Sequence, residues 1–255
     1  MPYTIDLSGR RALVTGGTRG IGLACAQVLG EAGAEVIIAG RTEAAGAAAR
    51  ATLEAAGHVA RFIRMDVADE DDVVAAFRDG VGEAGVDIVV NNAGIAAHRD
   101  TLDADARHWN DIVDTNYKGV FLCCREALRR MTAAKRGGAI VNVGSISGIV
   151  SNVPQNQAVY NSAKAAVHML TRSLASEFAG SGVRINAVAP GYVRTDMTRG
   201  GLEHPEWGKV WLDMTPMRRV AEPREIAEAV LFLASDLSSY VTGEVLTIDG
   251  GYTLR

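Results

Sequence analysis

The stretch Thr15-Gly16-Gly17-Thr18-Arg19-Gly20-Ile21-Gly22 follows a short apolar run, Ala12–Thr15, and leads into a helical pattern, Ile21–Ala32. A strand that turns through glycines into a helix is the first half of a β-α-β unit. The same rhythm continues outward. Further runs rich in Val and Ile lie at Glu35–Ala39, Ala60–Met65, Asp87–Asn91, Ala139–Val143, Arg184–Ala189 and Val245–Ile248. They are continuous rather than alternating, as strands buried on both faces are. Helical stretches separate them at Thr42–Ala56, Glu70–Val81, Asp105–Lys135 (in more than one piece), Ala158–Ala179 and Pro223–Ala234. Pro223 suits the first turn of a helix, where its missing N–H costs nothing. Repeated β-α-β with right-handed crossovers predicts an α/β fold. It is a single-domain, doubly wound parallel sheet of about seven strands with helices on both faces.

Composition agrees with that reading. A chain of 255 residues buries about three quarters of its unfolded surface and needs no disulfide or metal staple. Its 28 glycines show no G-X-Y period, which excludes collagen, and 48% hydrophobic with 22% charged residues excludes general disorder. A net charge of −4 argues against a nucleic-acid or membrane-surface partner, since both favour a basic face. Cys25, Cys123 and Cys124 form no CxxC and no Cys/His cluster. No metal site is expected, and a reduced cytoplasmic compartment fits better than a disulfide framework. No apolar run is long enough to span a membrane. The stretch Met1–Asp6 has neither the basic nor the apolar region of a secretory signal.

One region breaks the rhythm. From Arg194 to Glu222 no strand is predicted, and Gly200, Gly201, Pro205 and Pro216 punctuate the segment. Trp207 and Trp211 are four apart and share a helix face. Such a segment is a lid or binding loop, or else a surface excursion anchored by its tryptophans.

The glycine loop offers a dinucleotide site of Rossmann type. Gly16 permits the sharp turn, Gly20 lets backbone approach a pyrophosphate, and Gly22 lets the helix pack closely. The helix N-terminus presents free N–H groups to phosphate. No Gly-Lys-Ser/Thr follows, so a Walker A loop is excluded. The second strand ends in Ala39-Gly40-Arg41-Thr42 without a carboxylate for a ribose 2′-OH. Arg41 and Arg19 suit a 2′-phosphate, which favours NADP over NAD.

After the fifth strand come Gly144-Ser145-Ile146-Ser147-Gly148 and Tyr160-Asn161-Ser162-Ala163-Lys164. Tyr160 and Lys164 share a helix face. An ammonium about 4 Å from a phenol at an effective dielectric near 20 is worth about 4 kcal/mol, or roughly three pKa units, less the effect of desolvation. That pulls a tyrosine toward the pH where acid–base catalysis works best.

These blocks, with Asp66-Val67, Asn91-Asn92-Ala93-Gly94, Asn116 and Pro190-Gly191, stand in order from about Leu7 to Tyr252. In them the whole chain resembles the short-chain dehydrogenase/reductase family. The resemblance implies that Tyr160 is the catalytic acid/base and that Ser145 hydrogen-bonds the substrate oxygen. Lys164 lowers the tyrosine pKa and contacts the nicotinamide ribose, and Asn116 helps hold a water linking the lysine to solvent. Gly16, Thr18, Arg19, Gly20 and Ile21 form the phosphate turn. Asp66 and Val67 contact adenine, and Asn92, Ala93 and Gly94 line the adenosine side. Val193 and Thr195, after Pro190 and Gly191, orient the carboxamide. The interval from Ser145 to Tyr160 is two longer than the commoner family spacing, which Ser147 would satisfy. Ser145-x-x-Gly148 keeps the local pattern, so Ser145 is preferred and the insertion falls in Ser151–Gln157.

That polar loop is a candidate substrate surface. Trp211–Met217 and Asp249–Thr253 resemble the polyol and sugar-alcohol dehydrogenase branch. Ser147, Asn152 and Gln155 would serve several substrate hydroxyls, because an unpaired buried polar group costs about 1–3 kcal/mol. His98 either reaches this pocket or is a surface histidine, and Met214 with the tryptophans either closes a lid or packs in the core. The expected reaction interconverts a secondary alcohol and a ketone on a small-molecule substrate. A 3-oxoacyl or general carbonyl reductase is the alternative within the family. A catalytically silent nucleotide-sensing protein is the alternative outside enzymes, though it has no need of the complete set Asn116, Ser145, Tyr160 and Lys164. The resemblance also implies a homotetramer, with helices such as 105–135 and 158–179 across one interface.

Overall fold

Strand β1 (Arg11–Thr15) pairs with β2 (Glu35–Gly40) on one side and β4 (Ile88–Asn91) on the other. With β3 (Ala60–Arg64), β5 (Gly138–Val143), β6 (Val183–Pro190) and β7 (Val245–Ile248) they form one parallel sheet, ordered β3-β2-β1-β4-β5-β6-β7. The computed structural model describes residues 4–255, so Met1 to Tyr3 of the Met1–Asp6 stretch lie outside the described residues. Every predicted strand is present to within one residue at each end.

Consecutive strand residues face opposite sides, and both sides are covered. Val14, Ile38, Val90, Val141 and Val188 pack with Cys25 and Leu29 of α1 (Gly20–Glu31), Leu53 of α2 (Glu43–Ala55) and Ile226 and Val230 further on. Leu13, Ile37, Val89, Ile140 and Ile185 pack on the other side with Val73 of α3 (Glu70–Ala75), Phe77, and residues of the later helices. This two-sided burial is why the strands read as unbroken apolar runs.

The predicted helix 70–81 is α3 continued by a π-helical turn, Ala76–Val81. The predicted 105–135 region is α4 (Ala106–Val113), a π-helical turn Asp114–Lys118, and α5 (Gly119–Ala134). Next comes α6 (Ala158–Phe178). The 194–222 excursion holds two helices, α7 (Asp196–Glu203) and α8 (Trp207–Met214), before α9 (Pro223–Ala234), where Pro223 occupies the first turn. The base of the excursion is pinned by a Val193–Ala221 bridge, with Arg194 N–H donating to the Ala221 carbonyl at 2.8 Å. The three cysteines are free and buried. No helix among the described residues is long and apolar enough to cross a membrane.

The strand order turns back between β1 and β4. At such a switch point the loops leaving the strand ends part and open a crevice.

Candidate active site

The crevice begins at the glycine loop. Gly16 and Gly20 adopt φ of +61° and +54°, which side chains disfavour. A Cβ on Gly22 would stand 2.2 Å from the Gly16 carbonyl oxygen, so its closeness serves the loop rather than the sheet. Asn92 ties this loop to β4: its side-chain amide donates to the carbonyls of Thr15 and Gly16 at 3.0 and 3.1 Å. The Thr15 hydroxyl accepts the N–H groups of Asn92 and Ala93, each at 3.0 Å. No side chain caps α1, and its first turn carries no acidic residue. Its N–H groups and positive dipole end are left for an anion.

From there a cleft runs past Thr18, Arg19, Ile21, Arg41, Asp66, Val67, Ala93 and Gly94 to Thr195. A Cβ on Gly94 would stand 2.7 Å from Asn116 Oδ1, so only glycine keeps this wall of the cleft open. The elongated cleft, its uncapped helix end and its glycine wall fit a dinucleotide. Arg19 lies 3.8 Å from Asp196 with its side chain 78% exposed. Arg41 is exposed and has no ion-pair partner among the described residues.

The cleft adjoins a second cavity of about 140 Å³ that brings together Asn116, Ser145, Ser147, Asn152, Gln155, Tyr160, Lys164, Pro190, Gly191 and Val193. Asn116 sits in the π-helical turn after α4 and is wholly buried. Its amide donates to the carbonyls of Ile95 and Ile112, each at 2.9 Å, and its Oδ1 accepts the Ile95 N–H at 3.2 Å. The widened turn turns this side chain inward, and π-turns recur at functional sites.

Tyr160 and Lys164 extend from one face of α6. The Lys164 ammonium donates to the Val143 carbonyl at 2.8 Å and lies 5.7 Å from the centre of the Tyr160 ring. Burial pushes the Tyr160 phenol up to about 12, and the Ser145 hydroxyl counters only part of that rise. Burial also brings Lys164 down to about 8. The predicted lowering of Tyr160 by Lys164 is therefore not what the protein's own groups produce. The ammonium donates to the Val143 carbonyl, and desolvation of the phenol is the leading cause of its rise. Ser145 rather than Ser147 is the serine that interacts with Tyr160. The Ser147 hydroxyl instead accepts from Gln157 at 3.1 Å.

The polar loop turns inward. Asn152 and Gln155 are buried, and so is Gln157, which the sequence reading did not single out. Gln157 Nε2 faces the side-chain oxygens of Ser147, Asn152 and Asn161 at 3.0–3.1 Å, and Gln157 also interacts with His98. Its only sequence signal was membership of this loop, three residues before Tyr160. Gln155 donates to the Tyr192 hydroxyl at 3.1 Å and accepts from Trp211 Nε1 at 3.0 Å. Trp211 stacks on Tyr192 with ring centres 4.0 Å apart. A Cβ on Gly201 would stand 1.9 Å from the Trp211 ring, so α7 presents glycine there. Trp207 meets His98 edge-to-face at 5.1 Å, and His98 lines the cavity from an exposed position. Of the two readings, core packing holds for Trp211, which is buried, while Met214 is half-buried, its Sδ accepting from the Tyr252 hydroxyl at 3.6 Å.

A family model described as enoyl-(acyl carrier protein) reductase matches residues 16–253. The chain is 48% identical to galactitol 2-dehydrogenase (L-tagatose-forming) of Cereibacter sphaeroides over 248 residues, 97% of this chain and 96% of that protein. It is 40% identical to a 3-oxoacyl-(acyl-carrier-protein) reductase of Chlamydia muridarum over 247 residues, 96% of this chain and 98% of that one. The crystal structure of a gluconate 5-dehydrogenase from Burkholderia cenocepacia J2315, in complex with NADP and tartrate, superimposes with a TM-score of 0.91 at 35% identity. That match covers 98% of this chain and 97% of the other. With the glycine turn, the paired cavities and the Ser145-Tyr160-Lys164 cluster, these matches place the chain in the short-chain dehydrogenase/reductase family of oxidoreductases.

Proposed function

We propose that this protein interconverts a secondary alcohol and a ketone on a polyol or sugar-like substrate, with NADP as the preferred cofactor. The observation that carries the reading is the cavity beyond Tyr160. Apart from Lys164 and His98 its polar lining is neutral, built from hydroxyls and amides such as Ser147, Asn152, Gln155 and Gln157. Several hydrogen-bonding groups around one reacting centre suit a substrate with several hydroxyls. The galactitol dehydrogenase relative, at 48% identity, supports this choice over the reductase relative at 40%.

Bound nicotinamide supplies the hydride donor or acceptor. The chain supplies position and proton transfer. Ser145 holds the substrate oxygen, and Tyr160 exchanges the proton with it. A buried phenol near 12 is set as an acid, ready to protonate a nascent alkoxide. Oxidation needs the phenolate and so needs positive charge beside it. Lys164 is in place for that below about pH 8. Asn116 holds the turn next to Gly94 and the lysine. The 194–222 excursion, anchored to the body through Trp211 on Tyr192 and meeting His98 through Trp207, serves as a lid over the substrate. Exposed Trp109, Phe121 and Met169 on α4, α5 and α6 support a homotetramer packed through these helices.

A panel of polyols, sugars, β-keto esters and acyl thioesters, assayed with NAD(H) and NADP(H), tests the substrate class. Activity confined to acyl thioesters would overturn it. Cofactor choice has its own test. Losing a hydrogen bond to a charged group costs about 1.5–3 kcal/mol, roughly 10- to 100-fold in Kd. Arg41→Asp is expected to weaken NADP by that much and to leave NAD unharmed. An unchanged NADP-to-NAD ratio, measured by fluorescence titration, would remove Arg41 from the site.

A further inference from the structure

The face of α6 that carries Tyr160 and Lys164 carries a third residue, His168, one turn further on. The proton transfer between Tyr160 and the substrate oxygen does not involve it. It is buried, with 5% of its surface exposed. Its Nε2 accepts the backbone N–H of Ser145 at 3.4 Å. The Gly144–Gly148 loop folds around the ring. A Cβ on Gly144 would stand 2.3 Å from Nε2, and one on Gly148 would stand 2.7 Å from Cε1. Neither glycine has a positive φ, so close approach, not backbone freedom, is what requires glycine there. Gly148 also comes within 2.7 Å of the Lys164 backbone on the same test, which seats the loop directly on α6.

The ring is neutral under working conditions, because burial, then the charges of Lys164 and Arg172, push it down to about 4. A neutral imidazole has one acceptor nitrogen, and here it faces Ser145. The Ser145 hydroxyl is held separately, accepting the Ser147 N–H at 3.1 Å. Backbone and side chain of the same serine are thus fixed from two sides.

We propose that His168 is a positioning residue that sets the backbone of Ser145, and through it the place of the Ser145 hydroxyl beside Tyr160. The inference rests on the dehydrogenase reading of this site. His168→Gln places an amide oxygen near the position of Nε2, whereas His168→Asn falls one bond short. Misplacing a group that contacts the reacting atoms by a fraction of an ångström costs roughly 30-fold in kcat. H168N should show that loss with cofactor Kd unchanged, while H168Q stays within about threefold of the parent. Because His168 acts through Ser145, H168N should cost less than about twofold in a Ser145→Ala background.

Equal kcat for H168N and H168Q would overturn the proposal. So would a loss from H168N that persists undiminished without the Ser145 hydroxyl. Should H168N fail to fold, H168Q decides: a retained kcat supports the role, and a lost one removes it. Tyr160→Phe in the same assay separates the two readings. A Y160F rate within tenfold of the parent sinks the acid/base role itself, while a Y160F slowed by roughly 10²-fold or more beside a fully active H168N sinks only the role of His168.

Discussion

Tyr160→Phe is expected to lower turnover by roughly 10²- to 10⁴-fold while leaving cofactor affinity within about twofold, since the substitution removes a proton-transfer group and little else. The ring stays in its half-buried place, its centre 5.7 Å from Lys164 Nζ, and only the hydroxyl that interacts with Ser145 is lost. Stopped-flow absorbance under single-turnover conditions, with cofactor binding followed by protein fluorescence, separates the two quantities. A single-turnover rate within tenfold of the parent would show that proton transfer does not pass through Tyr160. The parent enzyme carries a matching pH signature. Its phenol sits near 12, so the acid form needed for ketone reduction persists across the neutral range. Alcohol oxidation needs both the phenolate and a charged Lys164, so its kcat/KM should climb with pH up to about 8, where Lys164 begins to lose its proton, while the reduction rate stays flat over that range.

Much of this site was legible because its parts are local. The glycine turn is a covalent string whose conformation its own residues dictate, and Gly16 takes a positive φ at the sharp turn expected of it, with Gly20 positive as well. Strands buried on both faces leave a continuous apolar signal, which is why all seven appeared within a residue. The π-helical turns left no signal, because Asp114–Lys118 reads like any other helical stretch. Only the burial of Asn116 among the Ile95 and Ile112 carbonyls shows what the widened turn does.

Gln157 and His168 escaped notice for a different reason. Their roles come from groups on other elements, such as Ser147 and Ser145, and helix periodicity cannot report these. The Tyr160–Lys164 spacing was read correctly as one face, but spacing does not say where an ammonium points. The Val143 carbonyl accepts the ammonium's hydrogen bond, and burial sets the direction in which the tyrosine moves.

That same carbonyl frames the second large effect. Lys164→Met is expected to lower turnover by roughly 100-fold or more, by removing the cation beside Tyr160, and yet to raise thermal stability at neutral pH. Lys164 is 4% exposed, and burial lowers it from an ordinary 10.5 to about 8. Below pH 8 the lysine is charged in both folded and unfolded chains, and the folded state bears the full cost of the buried ammonium. Between 8 and 10.5 the folded protein releases its proton first, so the unfolded chain binds more protons and stability rises with pH. Above 10.5 both states are neutral and the cost is gone. The gap is worth about 3 kcal/mol. Methionine removes it but leaves the Val143 carbonyl without its donor, which costs about 1–2 kcal/mol. The net gain of about 1–2 kcal/mol corresponds to a few degrees in Tm for a chain of this size. Thermal melts of parent and variant between pH 7.5 and 10.5 should show the difference in Tm shrinking as pH rises. A difference that stays constant or widens would mean that the ammonium carries no such cost, and that its position reflects packing of the stem rather than a charge held in place for chemistry.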